Sequence, residues 1–499
     1  LDRYFVPKEL VLHVTALLVV ILLFVRARSM AVDLPDTLMA AFLVWSLASA
    51  LFAPNYWLAQ RALGISVSSA VVFWAARRLG AQGLARPLLV GVSIATVCAV
   101  ATALAQAYGM ESDYFSLNRA PGGTFGNRNF VAHIAVIGLP ALVFVTVTAR
   151  SAFAALLGCV GAAAIAALLV LSRTRAAWLA LVVAVVAVAI PLIASRRYWR
   201  GHHVGARFWT LALGSAVGAC VAIAMPNRLR WASDSPYLET ARNMVDYSSG
   251  SGLGRVAQYT NSAKMALAHP VLGVGPGNWP VRYVRYAPAG DKSIASNGMT
   301  ANPWPSSDWV AFVSERGLVG AVALLGVFAV LFLASMRRWG ELGDSDAVLA
   351  KVTLVATIPA TLVVGSFDAA LLLGAPAMLA WCVIGAASGV GAAWRGRELP
   401  TNTRAWRVGL IVGLLILVAS ITRSATQVAA IATAGEGGSR AGWVTAASLD
   451  PGSYRINLRV AQSYVDRGRC AGARQYARRA ASLFPNAAEP RRILRACRE

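Results

Sequence analysis

Apolar runs and short polar breaks alternate along this chain with a spacing set by a lipid bilayer. Runs of roughly 17–25 residues, the length at which a helix crosses ~30 Å of hydrocarbon, recur from Leu10 to Arg423. The pattern predicts about twelve spanning helices, each long enough to cross that thickness. They lie near 9–25, 37–53, 57–76, 87–108, 130–149, 152–171, 176–195, 208–225, 309–336, 348–366, 369–390 and 407–424. Further spans follow the first run at once, which argues against a cleaved signal peptide. The expected fold class is therefore an all-α polytopic membrane protein. Its expected parts are N-terminal spans over 1–225, a large external loop over 226–308, C-terminal spans over 309–424 and a soluble tail over 436–499.

Composition agrees with that frame. Of 499 residues, 57% are hydrophobic and 14% charged, with mean hydropathy +0.59, outside the range of soluble domains. The net charge of +24 raises the question of nucleic acid, but the arginines are scattered over short loops. That distribution fits membrane topology and an anionic ligand better. Arg26 and Arg28; Arg77, Arg78 and Arg86; Arg196, Arg197 and Arg200; Arg337 and Arg338; and Arg395, Arg397, Arg404 and Arg407 all fall on one side of the predicted membrane. Basic short loops mark the cytoplasmic side. Segments 109–129, 172–175, 226–308 and the tail from Ala425 then lie outside. Four of the six cysteines, Cys98, Cys159, Cys220 and Cys382, sit in apolar runs and read as small core residues. Cys470 and Cys497, in the polar tail, can pair in an oxidising compartment.

The tail carries a repeat. "AGWVTAASLDP" ends at Pro451 and "AQSYVDRGRCAGARQYARRAASLFP" ends at Pro485, a period of 34 residues. With small or aromatic residues at Ala461, Tyr464, Gly468, Ala473 and Ala480, and Ala446 one period earlier, this reads as tetratricopeptide-like helical pairs. So few repeats are marginal alone and are expected to dock on the membrane part or on a partner.

Four outward clusters carry candidate chemistry. "NRAPGGTFGNRNFVAH" (118–133) sets Arg119 and Arg128 around a Gly/Asn turn. "LSRTRAAW" places Arg173 and Arg175 in an external turn, against the positive-inside bias; arginine there either snorkels to headgroups or holds phosphate with its planar fork. "GSGLGRVAQYTNSAKMALAHPVLGVGPGNW" brings Arg255, Lys264 and His269, with Arg282 and Arg285 just beyond. His269 precedes a proline and can either end its helix or act as acid or base. "NPWPSSDWVAFVSERGLVG" offers Asp308 as helix N-cap or general base. Glu315, inside a span, is expensive and thus a functional candidate; Glu315 and Arg316, adjacent in a helix, are expected to face different sides. The glycines and prolines of "HPVLGVGPGNWP" (269–280) exclude a spanning helix and are expected to form a rigid turn. Several arginines and a carboxylate outside the membrane call for an anionic, lipid-linked substrate. There is no phosphate loop of the GxxxxGK[ST] kind.

"GTFGNRNFVAH", "SRTRAAWLAL", "RVAQY" followed by "AHPVLGVGPGNW", and "SSDWVAFVSERGLVG" resemble, in order, the signature segments of the O-antigen ligase and polymerase superfamily. The resemblance spans roughly residues 10 to 424, and some members carry a similar tail. It implies an inverting, metal-independent, cofactor-free GT-C glycosyltransferase of the bacterial inner membrane, with active site and tail in the periplasm. Such an enzyme takes a glycan from an undecaprenyl-pyrophosphate-linked donor. Ligases pass it to a glycolipid, polymerases to another repeat unit, and some relatives to protein. By position Arg173 or Arg175, and Arg255, match the arginines that hold the donor pyrophosphate, with Asp308 the candidate base; Arg119, Arg128, His269, Arg282, Arg285 and Glu315 are supporting substrate-binding candidates. The sequence departs from the usual pattern where ligases carry a histidine before the "SERGLVG" helix: here stand Ser306, Ser307 and Asp308. The alternatives are a repeat-unit polymerase of the same superfamily, a lipid-linked sugar transporter in which the arginines bind without chemistry, and an inactive scaffold whose tail recruits partners.

Overall fold

A computed structural model describes the chain except residues 1, 26, 117–118, 195–203, 232, 244–249, 338–344, 391–395, 436–438 and 498–499. Arg26, Arg196, Arg197, Arg200, Arg338 and Arg395 lie outside the described residues. The first half contains α1 (Asp2–Val19), α2 (Leu34–Leu51), α3 (Tyr56–Leu79), α4 (Ala85–Ala107), α5 (Arg128–Val147), α6 (Ala152–Ser172), α7 (Arg175–Ala194) and α8 (Val204–Ala224). The loop region holds α9 (Pro236–Arg242), α10 (Gly250–Ala268) and the short α11 (Trp279–Arg282). Then follow α12 (Asp308–Ser335), α13 (Ser345–Phe367), α14 (Gly374–Gly389) and α15 (Arg404–Ala434). The tail consists of α16 (Arg440–Leu449), α17 (Tyr454–Val465), α18 (Cys470–Leu483) and α19 (Ala488–Ala496).

Among the described residues ten helical stretches are long and apolar enough to cross a membrane. One of them, Tyr56–Ala107, is two predicted spans, α3 and α4, joined through a π-turn bent at Gly83 (φ 83°). The α14 helix is only 16 residues long; residues 369–373, expected to be helical, instead belong to a turn with a job at the site described below. At the other extreme α15 has 31 residues, more than a bilayer needs, so its last turns carry the chain clear of the hydrocarbon before the tail begins.

Outward-facing Val11, Leu22, Phe153, Ile190, Trp209 and Leu415 form an apolar exterior appropriate to lipid. The interior packs on α5, most of whose residues are buried. Small residues let the helices approach: a Cβ at Gly218 would meet the Ala163 carbonyl oxygen at 2.1 Å, and one at Gly385 the Phe73 carbonyl oxygen at 2.5 Å. Cys98 and Cys220 are exposed rather than core, whereas Cys159 and Cys382 are half-buried.

The two ends of the molecule differ. At the basic end, the antiparallel pair β1 (Ser29–Val32) and β2 (Arg397–Pro400) ties the loop after α1 to the loop before α15. Arg77 is buried there between Asp33 and Asp36. Burial pushes the Asp33 carboxyl upward, but the Arg77 guanidinium outweighs it and holds it below the usual carboxylate range. Arg86 donates to the Thr148 carbonyl, and Arg207 to those of Val147 (2.9 Å) and Ala149 (2.6 Å). The opposite, loop end gathers the described parts of 109–127, 172–175, 226–307 and the tail.

The tail does dock. Asn55 Nδ2 donates to the Leu483 carbonyl (3.0 Å), Asn486 Nδ2 to that of Val281 (3.2 Å), and the Ala488 N–H to that of Asn297 (2.9 Å). Trp57, Met299 and Phe484 close an apolar contact with Tyr454 and Leu458. Cys470 and Cys497 are disulfide-bonded, joining the start of α18 to the end of α19.

Candidate active site

The glycine turn comes first because it fixes the rest. Gly273, Gly275 and Gly277 take φ of 67°, 96° and 69°, values that side chains disfavour. Space excludes a side chain as well: a Cβ at Gly273 would lie 2.4 Å from the Glu315 carbonyl oxygen, and one at Gly275 2.5 Å from Ala53 Cβ. The α12 helix is broken at Gly317 (φ 72°, ψ 178°), and the turn threads into that break. Val274 N–H donates to the Ser314 carbonyl (3.0 Å), Gly275 N–H to that of Glu315 (2.9 Å), and Leu318 N–H to that of Pro270 (2.9 Å). The Glu315 side chain completes the plug, accepting from the N–H groups of Gly277 (2.7 Å) and Trp279 (3.2 Å).

Two sequence expectations are corrected here. Glu315 is 2% exposed and has its oxygens on backbone donors, so it anchors the turn and is not placed to bind substrate. Glu315 and Arg316 do not face apart. Both are buried, and they pair at 3.4 Å.

Asp308 is corrected in the same way. Ser307 caps α12, its side chain accepting from the Val310 N–H. Asp308 sits one position inside, fully buried. Its carboxylate collects three backbone N–H groups from the 368–373 turn: Ala370 (3.0 Å), Leu371 (2.8 Å) and Leu372 (3.2 Å). A carboxylate so enclosed holds a turn and has no free oxygen to take a proton from an acceptor.

The arginines gather elsewhere. Gln106 Oε1 accepts from the N–H groups of Gly122 (2.8 Å) and Gly123 (2.9 Å), and its Nε2 donates to the Ser116 carbonyl (2.9 Å), which fixes the turn before α5. The Arg128 N–H then closes onto the Arg119 carbonyl (3.0 Å). Arg128 lies over the Trp231 ring at 4.8 Å from its centroid, and Arg173 over the same ring at 4.9 Å. Arg128 feels the charges of both Arg173 and Arg119. Arg173 also donates to Thr240 Oγ1 (2.7 Å) and pairs with half-exposed Glu239 (3.2 Å). It is the one non-glycine residue among those described with positive φ, 52°, a strained conformation of the kind that concentrates at functional sites. Arg175 turns away to the Asn243 carbonyl (2.7 Å).

A carboxylate that sequence reasoning passed over stands beside this corner. Thr174 Oγ1 donates to Asn129 Oδ1 (3.3 Å), and Asn129 Nδ2 donates to Asp368 Oδ2 (3.1 Å). Asp368 is half-buried, and among the described residues it has no ion pair. Arg255 lies on α10. One turn further along that helix, Gln258 Oε1 accepts from Ser306 Oγ (3.0 Å), and the Tyr259 hydroxyl donates to the carbonyls of Ser306 (2.7 Å) and Ser366 (2.9 Å). Fully buried His133, one turn below Asn129 on α5, feels the charges of both Asp368 and Arg255. The structure thus brings together Arg119, Arg128, Arg173, Arg255 and Asp368. The signal for Asp368 was available only as a charge in an apolar stretch, since it comes from the far end of α13.

The remaining candidates lie apart. His269 is exposed and ends α10; its N–H bonds back to Met265 and Ala266. Arg282 ends α11 and Arg285 lies in the turn after it, beside an apolar cluster of Trp279, Tyr283 and Met265. There, burial pushes the Asp291 carboxyl upward, but the Ser293 N–H (2.7 Å), the Tyr283 hydroxyl (2.8 Å) and Asn261 Nδ2 (2.9 Å) together hold it below the usual carboxylate range. No contact joins His269, Arg282 or Arg285 to the arginine corner among the described residues.

Fold and site define a class: a polytopic helical membrane protein with a cationic, carboxylate-flanked corner at its loop end. Residues 159–325 match the family model described as O-antigen ligase. Over that segment the chain is similar to the O-antigen ligase family, and the match supports a membrane glycosyltransferase of the O-antigen ligase or polymerase type. No curated protein matches the chain.

Proposed function

We propose that the protein transfers a glycan from a polyprenyl diphosphate carrier, of the undecaprenyl kind, to an acceptor hydroxyl at the outer face of the bacterial inner membrane. The observation that carries this reading is the joining of two chemistries by one hydrogen-bond chain, Thr174–Asn129–Asp368, which runs from the arginine corner to a half-buried carboxylate. Arg119, Arg128, Arg173 and Arg255 neutralise the diphosphate, where negative charge grows as the sugar bond breaks. The acceptor oxygen attacks the anomeric carbon; its proton passes to Asp368 and the carbon–phosphate-oxygen electron pair leaves with the diphosphate. This assigns to Asp368 the role that Asp308, enclosed by backbone donors, is not placed to take. Attack opposite the leaving group inverts the sugar, and fixed arginines supply the charge that a metal would otherwise bring.

The basic loops at the other end support a periplasmic position for the corner, by the positive-inside bias. The Cys470–Cys497 bond supports the same orientation, since disulfides persist in oxidising compartments.

The test is a purified-protein assay that offers one undecaprenyl-diphosphate-linked oligosaccharide to glycolipid, glycan and peptide acceptors. Release of undecaprenyl diphosphate with elongation of one acceptor is the expected result. Movement of intact donor across a vesicle bilayer without release would establish the transporter instead, and neither activity would overturn the reading.

A further inference from the structure

We propose that Trp231 is a ligand-binding residue of the diphosphate cradle, its indole N–H donating directly to a phosphate oxygen held between Arg128 and Arg173. This rests on the glycosyl-transfer reading for the identity of the ligand and adds to it a residue of the donor site.

The argument starts from charge. Two guanidiniums share one indole ring, and a third, Arg119, is near enough to act on Arg128. Cation–π contact stabilises each by about 0.5–2 kcal/mol, but like charges brought together repel. One carboxylate, Glu239, answers Arg173. Arg128 has neither ion pair nor side-chain hydrogen bond among the described residues. A cluster so arranged lacks an anion.

The indole supplies the second, independent observation. Trp231 Nε1 is buried and has no hydrogen-bond partner. A buried unsatisfied donor is costly, and tryptophan N–H groups ordinarily find an acceptor when buried. Other buried indoles here do: Trp279 donates to Ser262 Oγ (2.8 Å) and Trp178 to the Leu169 carbonyl (2.6 Å). An acceptor-only ligand that is also anionic satisfies the cluster's charge and this donor at once. Phosphate oxygens are such acceptors. Arg128 begins α5, whose N-terminal dipole favours an anion at the same place. A diphosphate fits the corner better than a monophosphate because its charge spreads over two centres, one for each guanidinium.

The experiment uses full-length protein in lipid nanodiscs, with sugar-free undecaprenyl diphosphate and undecaprenyl monophosphate as probes. Trp231→Phe keeps a ring for the two arginines and removes the N–H. Loss of a hydrogen bond to a charged group costs about 1.5–3 kcal/mol, so Kd for the diphosphate and KM for the glycan-bearing donor should rise roughly 10-fold or more, with kcat nearly unchanged because the contact exists before and during transfer. The monophosphate should bind the wild type more weakly and be less affected. A benzothienylalanine at 231, which replaces N–H by sulfur in the same outline, should reproduce the loss if the phenylalanine variant fails to fold. Wild-type Kd in a folded variant would overturn the proposal while leaving the function intact. A wild-type protein that neither binds the diphosphate nor transfers sugar would sink both.

Discussion

The glycine turn and the arginine corner lie at the same end of the molecule and treat buried charge in opposite ways. Around the turn every charge is answered. Glu315 takes two backbone N–H groups and Arg316; Asp308 takes three N–H groups from the 368–373 turn; and Arg316 also reaches Ser46 Oγ (3.1 Å) and Ser66 Oγ (3.1 Å). Around the corner, Arg128 and the Trp231 N–H are left over. Satisfied buried charge holds a shape, and charge with nothing opposite it awaits a ligand. The two arrangements depend on each other. The 368–373 turn that Asp308 pins follows directly on Asp368, and α10, which brings Arg255, runs into the plug that Glu315 closes.

That contrast can be broken by substitutions that act on rate in one region and on stability in the other. The largest effect belongs to Asp368→Asn. The amide keeps an oxygen for Asn129 but accepts no proton, so transfer should fall about 10²–10⁴-fold, up to about 5 kcal/mol of barrier, with thermal unfolding unmoved. A variant that transfers at the wild-type rate would remove Asp368 from the chemistry.

Next comes Glu315→Ala. It leaves the buried Gly277 and Trp279 N–H groups without an acceptor and the buried Arg316 guanidinium without its carboxylate, a loss of about 3–5 kcal/mol for a broken buried pair. The fraction that still folds should bind undecaprenyl diphosphate normally. A folded, stable Glu315→Ala protein with no donor affinity would reverse the assignment and make Glu315 a binding residue. Asp308→Asn is milder, about 1–3 kcal/mol, because one oxygen still accepts while the new amide faces N–H groups; the check is again thermal unfolding against specific activity.

The sequence spoke clearly wherever one local rule decided the outcome. Each of the twelve apolar runs carries a helix among the described residues, Ser and Gly punctuate them, and the two tail cysteines pair. It was ambiguous where position along the chain and position in space part company. Asp308 carries the residue type of a cap, yet Ser307 is the residue with extended backbone in front of α12, so the cap fell one position earlier. Glu315 looked functional because a carboxylate in a span is costly; the N–H donors it satisfies belong to a turn some 40 residues upstream, invisible to any helical periodicity. Asp368, Trp231 and Asn129 are scattered over three segments and share no motif, so only their convergence marks them.

The smallest expected effect separates the two uses of strain and charge within one residue. Arg173 holds φ at 52°, which costs an ordinary side chain about 1–2 kcal/mol and asparagine less. Arg173→Ala and Arg173→Asn both remove the guanidinium from the Trp231 ring and should lower transfer alike, by about 10²–10³-fold if it stabilises the departing diphosphate. They should differ in stability, the asparagine variant unfolding later by about 1 kcal/mol because its side chain tolerates the left-handed backbone. If the asparagine variant instead keeps transferring, the guanidinium is dispensable and the turn geometry alone was what mattered. If the two variants unfold together, the turn relaxes when the arginine is gone, and the strained backbone is held by the Thr240, Glu239 and Trp231 contacts of Arg173 itself.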